Sequence, residues 1–456
     1  MTLMVLTVLA AAAGWGLLYF LRIAPVATGY KAKILCSAIF VSGRDIDPQF
    51  AADVSADSYR ILRLFRPRVD HDRRTVTCSW LRLWARTAIY RPGLGATLIV
   101  GPGMWDPKSI ELEKPSSPSA TTEWPRSHRS DPSKAPDALR RTVDGAFTDP
   151  APRKLRRTRA VLVIHDGTIV AERYAQGFSA DRALPGWSVT KSVLSALVGI
   201  LVGEKRLSLE DHVLLPEWRS SNDERAAITL EDLLRMRSGL AFSEIYSDLL
   251  ADVTQMLYAR PDTAAFAANK PLTSAPGTAW QYSSGTTNII SRILRHTVGE
   301  RVYHAFPRHA LFDPLGMGSA VIEPDAAGTF VGSSYMFATA RDWARLGQLY
   351  LEDGVWDGRR LLPEGWVRFS ATPTPQSPGG CYGAHWWLKL PKDFGGETEA
   401  ASHIPPDAFF GLGHEGQTLT VIPSRRLVVV RLGLSIYVAA WNHAQFVADV
   451  LQALSA

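Results

Sequence analysis

Cysteine is scarce: the 456 residues contain three, Cys36, Cys78 and Cys381. They follow no metal-ligand spacing, so neither a metal site nor any other cofactor is expected. A Cys36–Cys78 disulfide and buried free thiols both fit, which leaves the redox compartment open. Charge of one sign is not in large excess either. Fifty Lys and Arg against 44 Asp and Glu leave +6, mild for this length, so basicity does not argue for a nucleic-acid partner. Much of the positive charge lies between Arg126 and Arg159, where a solvated linker explains it. No internal repeat is evident. Gly93 and Gly95 lack the third glycine and the following helix of a nucleotide fingerprint, so they read as a turn.

One stretch has no charge at all. Thr2 to Leu21 is almost wholly apolar and ends at Arg22. About 20 such residues cross a bilayer, and the run is long for the core of a signal peptide. No Lys or Arg precedes it, and Ala24-Pro25-Val26-Ala27 offers no clean small-x-small cleavage site. A retained single-helix membrane anchor is therefore expected over residues 1–28. Arg22, Lys31 and Lys33 after the run favour a cytoplasmic main domain by the positive-inside tendency. Analogy with cell-envelope proteins favours the opposite side, so the side stays open, as does the oligomeric state.

The remainder divides by composition. Residues 29–113 form an extension of unassigned role, with strand-like runs at Lys33–Val41 and Thr97–Val100. Residues 114–137 are rich in Pro and Ser and read as a linker. In the main domain, 138–456, two β-rich runs flank Asp166-Gly167 as a hairpin. A second hairpin surrounds Pro423-Ser-Arg-Arg426, and a helix closes the chain from about Asn442 to Leu454. The middle, roughly 188–370, is mainly helical, with a capped start at Thr229. Strands at both ends with helices between them predict an α+β fold: an antiparallel sheet flanked by helices, plus a mainly helical subdomain.

The chemistry-bearing stretch is Gly186-Trp-Ser188-Val-Thr-Lys191-Ser192, which opens an apolar helical run to Val202. On a helix, positions i and i+3 share a face, placing Lys191 beside Ser188. A serine hydroxyl needs a neighbouring base to become a nucleophile, and a buried lysine can be that base if it stays neutral. Alone, Ser-x-x-Lys also describes an N-capping serine beside a surface lysine. Two further stretches stand in order behind it: Gln281-Tyr282-Ser283-Ser284, and Gly411-Leu-Gly-His414-Glu415-Gly416-Gln417. The three together match the ordered pattern of penicillin-recognising serine enzymes.

With these motifs the chain resembles the β-lactamase-related serine hydrolases, in the branch of class C β-lactamases, family VIII carboxylesterases and 6-aminohexanoate-dimer hydrolases. The resemblance covers roughly 140–456. Arg235–Leu240, Gly332–Tyr335, Ala338–Asp342 and Tyr382–Trp387 add to it. It implies a β-lactamase/transpeptidase-like fold and cleavage of a small ester or amide through an acyl-serine. Ser188 would be the nucleophile, Lys191 its base and Tyr282 the partner that passes the proton to the leaving group. Backbone N–H groups of Ser188 and Gln417 would hold the oxyanion. Substrate contacts would come from Ser284, His414 and Gly416, and from Tyr246, which resembles a loop tyrosine covering the substrate. Ser284 replaces the Asn of class C enzymes and His414 replaces their Lys, so efficient β-lactamase activity is not expected. A D,D-peptidase-type cell-wall enzyme and a non-catalytic penicillin-binding-like sensor are the alternatives.

Overall fold

The run Ala160-Val-Leu-Val-Ile164 is apolar at every position because its strand is covered on both faces. In the computed structural model, which describes residues 2–44, 57–101, 135–152, 154–212, 214–220, 222–436 and 440–455, this run is an inner strand of a five-stranded antiparallel sheet. The strands that build it are β5 (Ala160–His165), β6 (Thr168–Tyr174), β7 (Phe409–Gly413), β8 (Gln417–Ile422) and β9 (Leu427–Leu432). Their order across the sheet is β7-β8-β9-β5-β6. Both expected hairpins are present. In the first, Asp166 and Gly167 take φ of 49° and 71°, the positive pair that a tight two-residue hairpin turn requires.

Alternate residues of β5 serve different layers. Val161 and Val163 pack with Leu139 and Val143 of α2 (Asp137–Gly145) and with Val447 and Val450 of α6 (His443–Ser455). Leu162 and Ile164 face the main core, together with Trp343 and Leu346 of α5 (Ala340–Leu351). Behind α5 lies the helical part. Its central member is α3 (Thr190–Gly203), buried from Thr190 to Leu201, and α4 (Ser284–Val298) packs beside it. The capped helix expected at Thr229 spans Leu230–Leu234, with Thr229 and Asp232 bonding reciprocally.

The N-terminal region departs from expectation. One helix, α1, runs from Thr2 to Phe40, so Lys33–Val41 is not a strand. Val, Ile and Phe enrichment looks strand-like, but here these residues are packed between a sheet and a helix and need no single apolar stripe. The sheet is β1 (Arg66–Asp70), β2 (Thr75–Trp80), β3 (Leu83–Arg91) and β4 (Gly95–Ile99), joined in sequence order. Gly93 and Gly95 make the β3–β4 turn, and Thr97–Ile99 is strand as expected. Opposite the sheet, α1 meets the helix Asp252–Ala259, with Tyr30 edge-on to Tyr258 at 5.0 Å. Burial starts at Ile23, so the anchor and the extension share a helix without a break at residue 28. Cys36 and Cys78 are buried free thiols. Most of the expected linker falls outside the described residues.

Candidate active site

Ser188 sits in a single tight turn, Trp187–Val189, that feeds directly into α3. Trp187 has φ 48°, a conformation that large side chains seldom adopt and that aims the next residue out of the helix line. Close packing holds the turn from two sides. A Cβ on Gly186 would lie 2.3 Å from the Trp343 ring, and one on Gly413 would lie 2.2 Å from the Gly186 carbonyl oxygen.

One turn on, Lys191 is 1% exposed. Its Nζ has three neighbours: Ser188 Oγ at 2.8 Å, Ser284 Oγ at 3.0 Å and the Ser333 carbonyl oxygen at 3.0 Å. Burial pushes the amine down to about 8, against the pull of the Glu244 carboxylate. The Ser284 hydroxyl donates to Glu244, whose other oxygen accepts the Ser284 N–H at 2.8 Å. That bond fixes the role of each partner. With its hydroxyl proton directed to Glu244, Ser284 offers Lys191 a lone pair, and the Ser333 carbonyl can only accept. A neutral amine has two N–H groups for these acceptors, and its lone pair is left facing the Ser188 hydroxyl.

Tyr282 comes to the same point from the start of α4. Its loop is hung on the Arg235–Leu240 stretch by Gly277 N–H to the Arg237 carbonyl at 2.8 Å and Gln281 N–H to the Met236 carbonyl at 2.9 Å. Ser283 then caps the helix by accepting the Thr286 N–H at 3.1 Å. The Tyr282 ring lies 4.9 Å from Lys191 Nζ and packs against Trp387 and Tyr382 at 5.3 and 5.8 Å. Burial and Glu244 raise the Tyr282 hydroxyl far above its ordinary value, opposed by contacts with Ser188 and Trp387. Tyr282 is thus held protonated.

The Tyr382–Trp387 stretch clips the site together from behind. The His385 carbonyl accepts from Ser192 Oγ at 2.9 Å, and His385 Nδ1 meets the Lys191 carbonyl at 3.0 Å. Burial and the neighbouring Lys191 push His385 down to about 3, so it is neutral.

A cavity of roughly 470 Å³ opens over Ser188 and Tyr282, bounded by Glu244, Tyr246, Trp387, Asp393, His414, Glu415 and Gly416. Tyr246 stacks on His414 at 4.2 Å, and Trp187 meets His414 edge-on at 5.3 Å. Burial takes His414 down to about 4, leaving it uncharged. Gly416, at φ +84°, turns the chain into β8, where a side chain would strike Arg431. Gln417 begins β8 almost fully buried, its amide exchanging bonds with the Gly433 N–H and carbonyl at 2.9 and 2.7 Å. Ser284, expected among the substrate contacts, is buried beneath the cavity between Lys191 and Glu244. Glu244 and Ser333 escape the sequence reading as site residues, while Trp387, which reads from the sequence as a pocket or core-packing residue with packing preferred, lines the cavity. For Glu244 a faint signal existed, since it stands two positions before Tyr246 on one loop.

The beta-lactamase family model matches residues 143–433. The chain belongs to the beta-lactamase family. Among curated relatives of this family, the 6-aminohexanoate-dimer hydrolase of Paenarthrobacter ureafaciens is 28% identical over 299 residues, 60% of this chain and 72% of that protein. Solved beta-lactamase-fold structures similar to the chain include a family VIII carboxylesterase, with TM-score 0.53 and 16% identity over 70% of this chain and 96% of that one. A penicillin-binding protein homologue from Caulobacter crescentus has TM-score 0.52 and 19% identity over 70% of this chain and 98% of that one. The expected beta-lactamase/transpeptidase-like fold is therefore the fold observed. Residues 2–101 lie outside the family match.

Proposed function

We propose that this beta-lactamase-family hydrolase cleaves small ester or amide substrates through an acyl-enzyme on Ser188. The observation that carries the reading is the placement of Lys191 Nζ, 2.8 Å from Ser188 Oγ with two further oxygens to accept the N–H groups of its neutral form. As Ser188 Oγ attacks the substrate carbonyl carbon, its proton passes to Lys191 Nζ. Charge that develops on the carbonyl oxygen is taken up by the backbone N–H groups of Ser188 and Gln417. When the carbon–leaving-group bond breaks, Tyr282 gives its proton to the departing alcohol or amine and regains one from Lys191. Water then attacks the acyl carbon and loses its proton to the same pair. The released acid leaves Ser188 reprotonated.

The lining of the cavity narrows the substrate class. Glu244, Asp393 and Glu415 are acidic, His414 is uncharged, and among the described residues no Lys or Arg lines the cavity. A carboxylate-bearing β-lactam or D-Ala-D-Ala peptide would enter without a cation to receive it. Neutral esters and amine-bearing amides meet no such penalty. Assays on short-chain fluorogenic esters, ω-amino amides, a β-lactam and a D-Ala-D-Ala peptide test this directly. Turnover confined to the first two classes is expected. Efficient cleavage of the D-Ala-D-Ala peptide would favour the cell-wall reading, and no acyl-enzyme on any compound would favour a sensor.

We also propose that Thr2–Leu21 anchors the chain in a membrane. By length and composition α1 can cross a bilayer, and its most apolar part is unburied. The same helix then continues as a core element from Ile23 to Ile39, so removal of a leader anywhere along 23–39 would cut through packed structure. Alkaline carbonate extraction of membranes should leave the full chain in the pellet. Extraction into the supernatant with the N-terminus intact would defeat the anchor.

A further inference from the structure

The apolar part of α1 emerges from the fold beside a group of exposed apolar and basic side chains whose placement calls for an occupant. Phe20, one residue before the end of the uncharged run, packs against Trp80 at 4.9 Å, Trp84 at 5.9 Å and Phe65 at 6.2 Å. Trp80 and Trp84 flank the β2–β3 turn. At its tip Leu81 is 74% exposed and Leu83 54%, while Leu64, just before β1, is 55% exposed. Trp15 and Tyr19 stack on each other one turn further out along the helix.

The turn is built against its own local preferences. Leu81, Arg82 and Trp84 have φ of 47°, 65° and 47°, in the left-handed region where Gly, Asn or Asp sits most easily. Leucine gains nothing there from conformation, and in water it gains nothing from burial. Basic side chains also gather at one end of the small sheet. Arg22, Arg63, Arg66 and Arg82 are exposed at the Phe20 end, where Arg66 stands opposite Ser79. At the other end, beyond the Val69–Val76 pair, Asp70 and Asp72 are balanced by Arg73 and Arg74.

We propose that the β2–β3 turn and Leu64 form a second membrane contact: they dip into the bilayer interface around the base of α1, with the arginines turned to anionic phospholipid headgroups. The proposal rests on the anchor reading above. Three things point to this occupant. The patch is continuous through Phe20 with a helix apolar enough to span a membrane. Its indole rings are the side chains that settle at a headgroup boundary. Its basic fringe suits an anionic surface, as in interfacial segments that combine apolar insertion with positive charge. A rigid helix and a dipping turn together fix the height and tilt of the catalytic domain over the bilayer, which a flexible tether would not.

The test is spin labelling of the full chain, carrying Cys381→Ser and reconstituted in phosphatidylcholine–phosphatidylglycerol vesicles. Nitroxides are attached singly at Leu81→Cys, at Val8→Cys on the helix, and at Ser402→Cys on the exposed surface of the catalytic domain. Collision with oxygen and with a water-soluble nickel chelate reads the depth of each. The label at 8 is expected deep in the hydrocarbon, the label at 81 shielded from the chelate several-fold relative to 402, and the label at 402 freely accessible. Omitting phosphatidylglycerol should reduce the shielding at 81 and leave the label at 8 unchanged. A label at 81 as accessible as that at 402, with the label at 8 still buried, would overturn the second contact and leave the anchor standing. A label at 8 that behaves as aqueous would overturn both.

Discussion

As the proposed base, Lys191 has to do two things that conflict in water: become neutral near physiological pH and stay within bonding distance of a hydroxyl. Burial works toward the first demand, bringing the amine down to about 8 so that a fraction of it is neutral at physiological pH, and its three oxygen neighbours meet the second. A neutral base is the active form, so kcat/KM should rise as pH passes upward through about 8 and fall below it. Lys191→Arg should lose nearly all turnover, because arginine stays protonated; a normal rate in that variant would remove Lys191 as the base. Glu244 acts one step back. It touches Ser284 rather than Lys191, and its negative charge raises the Lys191 value. Glu244→Gln should therefore shift the acidic limb of the pH profile to lower pH. It should also slow turnover by roughly tenfold to a hundredfold, the scale of one hydrogen bond to a charged group at about 1.5–3 kcal/mol. An unmoved limb would show that the carboxylate does not tune the base. At this scale, what could be read in advance was local: Ser188 and Lys191 share one helix turn. Glu244 and Ser333 are brought around Lys191 and Ser284 by tertiary packing, and beyond the nearness of Glu244 to Tyr246 and of Ser333 to the Gly332–Tyr335 stretch nothing in the chain gives them a role.

At the scale of elements, the candidate site is a junction of the Ser188 turn, the start of α4 and the end of β7. The close approach of Gly413 to the Gly186 carbonyl joins β7 to the turn. Gly413→Ala should force the two apart, costing about 1–3 kcal/mol as overpacking does. It should lower kcat more than it raises KM, since Ser188 and the His414–Gln417 segment would separate. Denaturation midpoints together with steady-state rates check both parts, and an unperturbed enzyme would show that the junction is slack. Hairpins and the nucleophile helix were legible because short turns and long apolar runs leave plain marks. The second half of α1 was not. Lys33–Val41 mixes β-branched and aromatic residues, and only the sheet on one side and the helix Asp252–Ala259 on the other make it helical.

The whole molecule is tied together by a carboxylate that belongs to neither end alone. Glu323, fully buried in the catalytic domain, pairs with Lys33 of α1 and accepts from Ser37 Oγ at 2.9 Å and the Ala96 N–H at 2.6 Å. A side chain on Gly95 would strike Glu323, so the β3–β4 turn is shaped to reach it. Breaking a buried pair from one side leaves an uncompensated charge, at about 3–5 kcal/mol. Lys33→Met or Glu323→Leu alone should therefore lower the unfolding midpoint strongly, and the double variant should recover much of the loss. Additive losses would deny the coupling. Deletions should respect the same connection. Removing residues 1–21 is expected to yield a soluble, active protein, whereas removing 1–28 takes away Ile23, Ala24, Val26 and Ala27 from the core and should destabilise what remains.

The central claim, an acyl-enzyme on Ser188 formed with the help of a neutral lysine, has a direct measurement. The full chain is mixed with an activated short-chain ester, quenched in acid within the first turnovers, and its intact mass and peptide map are recorded. The account predicts a mass increase of one acyl group, located on Ser188, that is absent from folded Ser188→Ala and accumulates faster at pH 9 than at pH 7. An adduct on another residue, or undiminished ester turnover by Ser188→Ala, would contradict it.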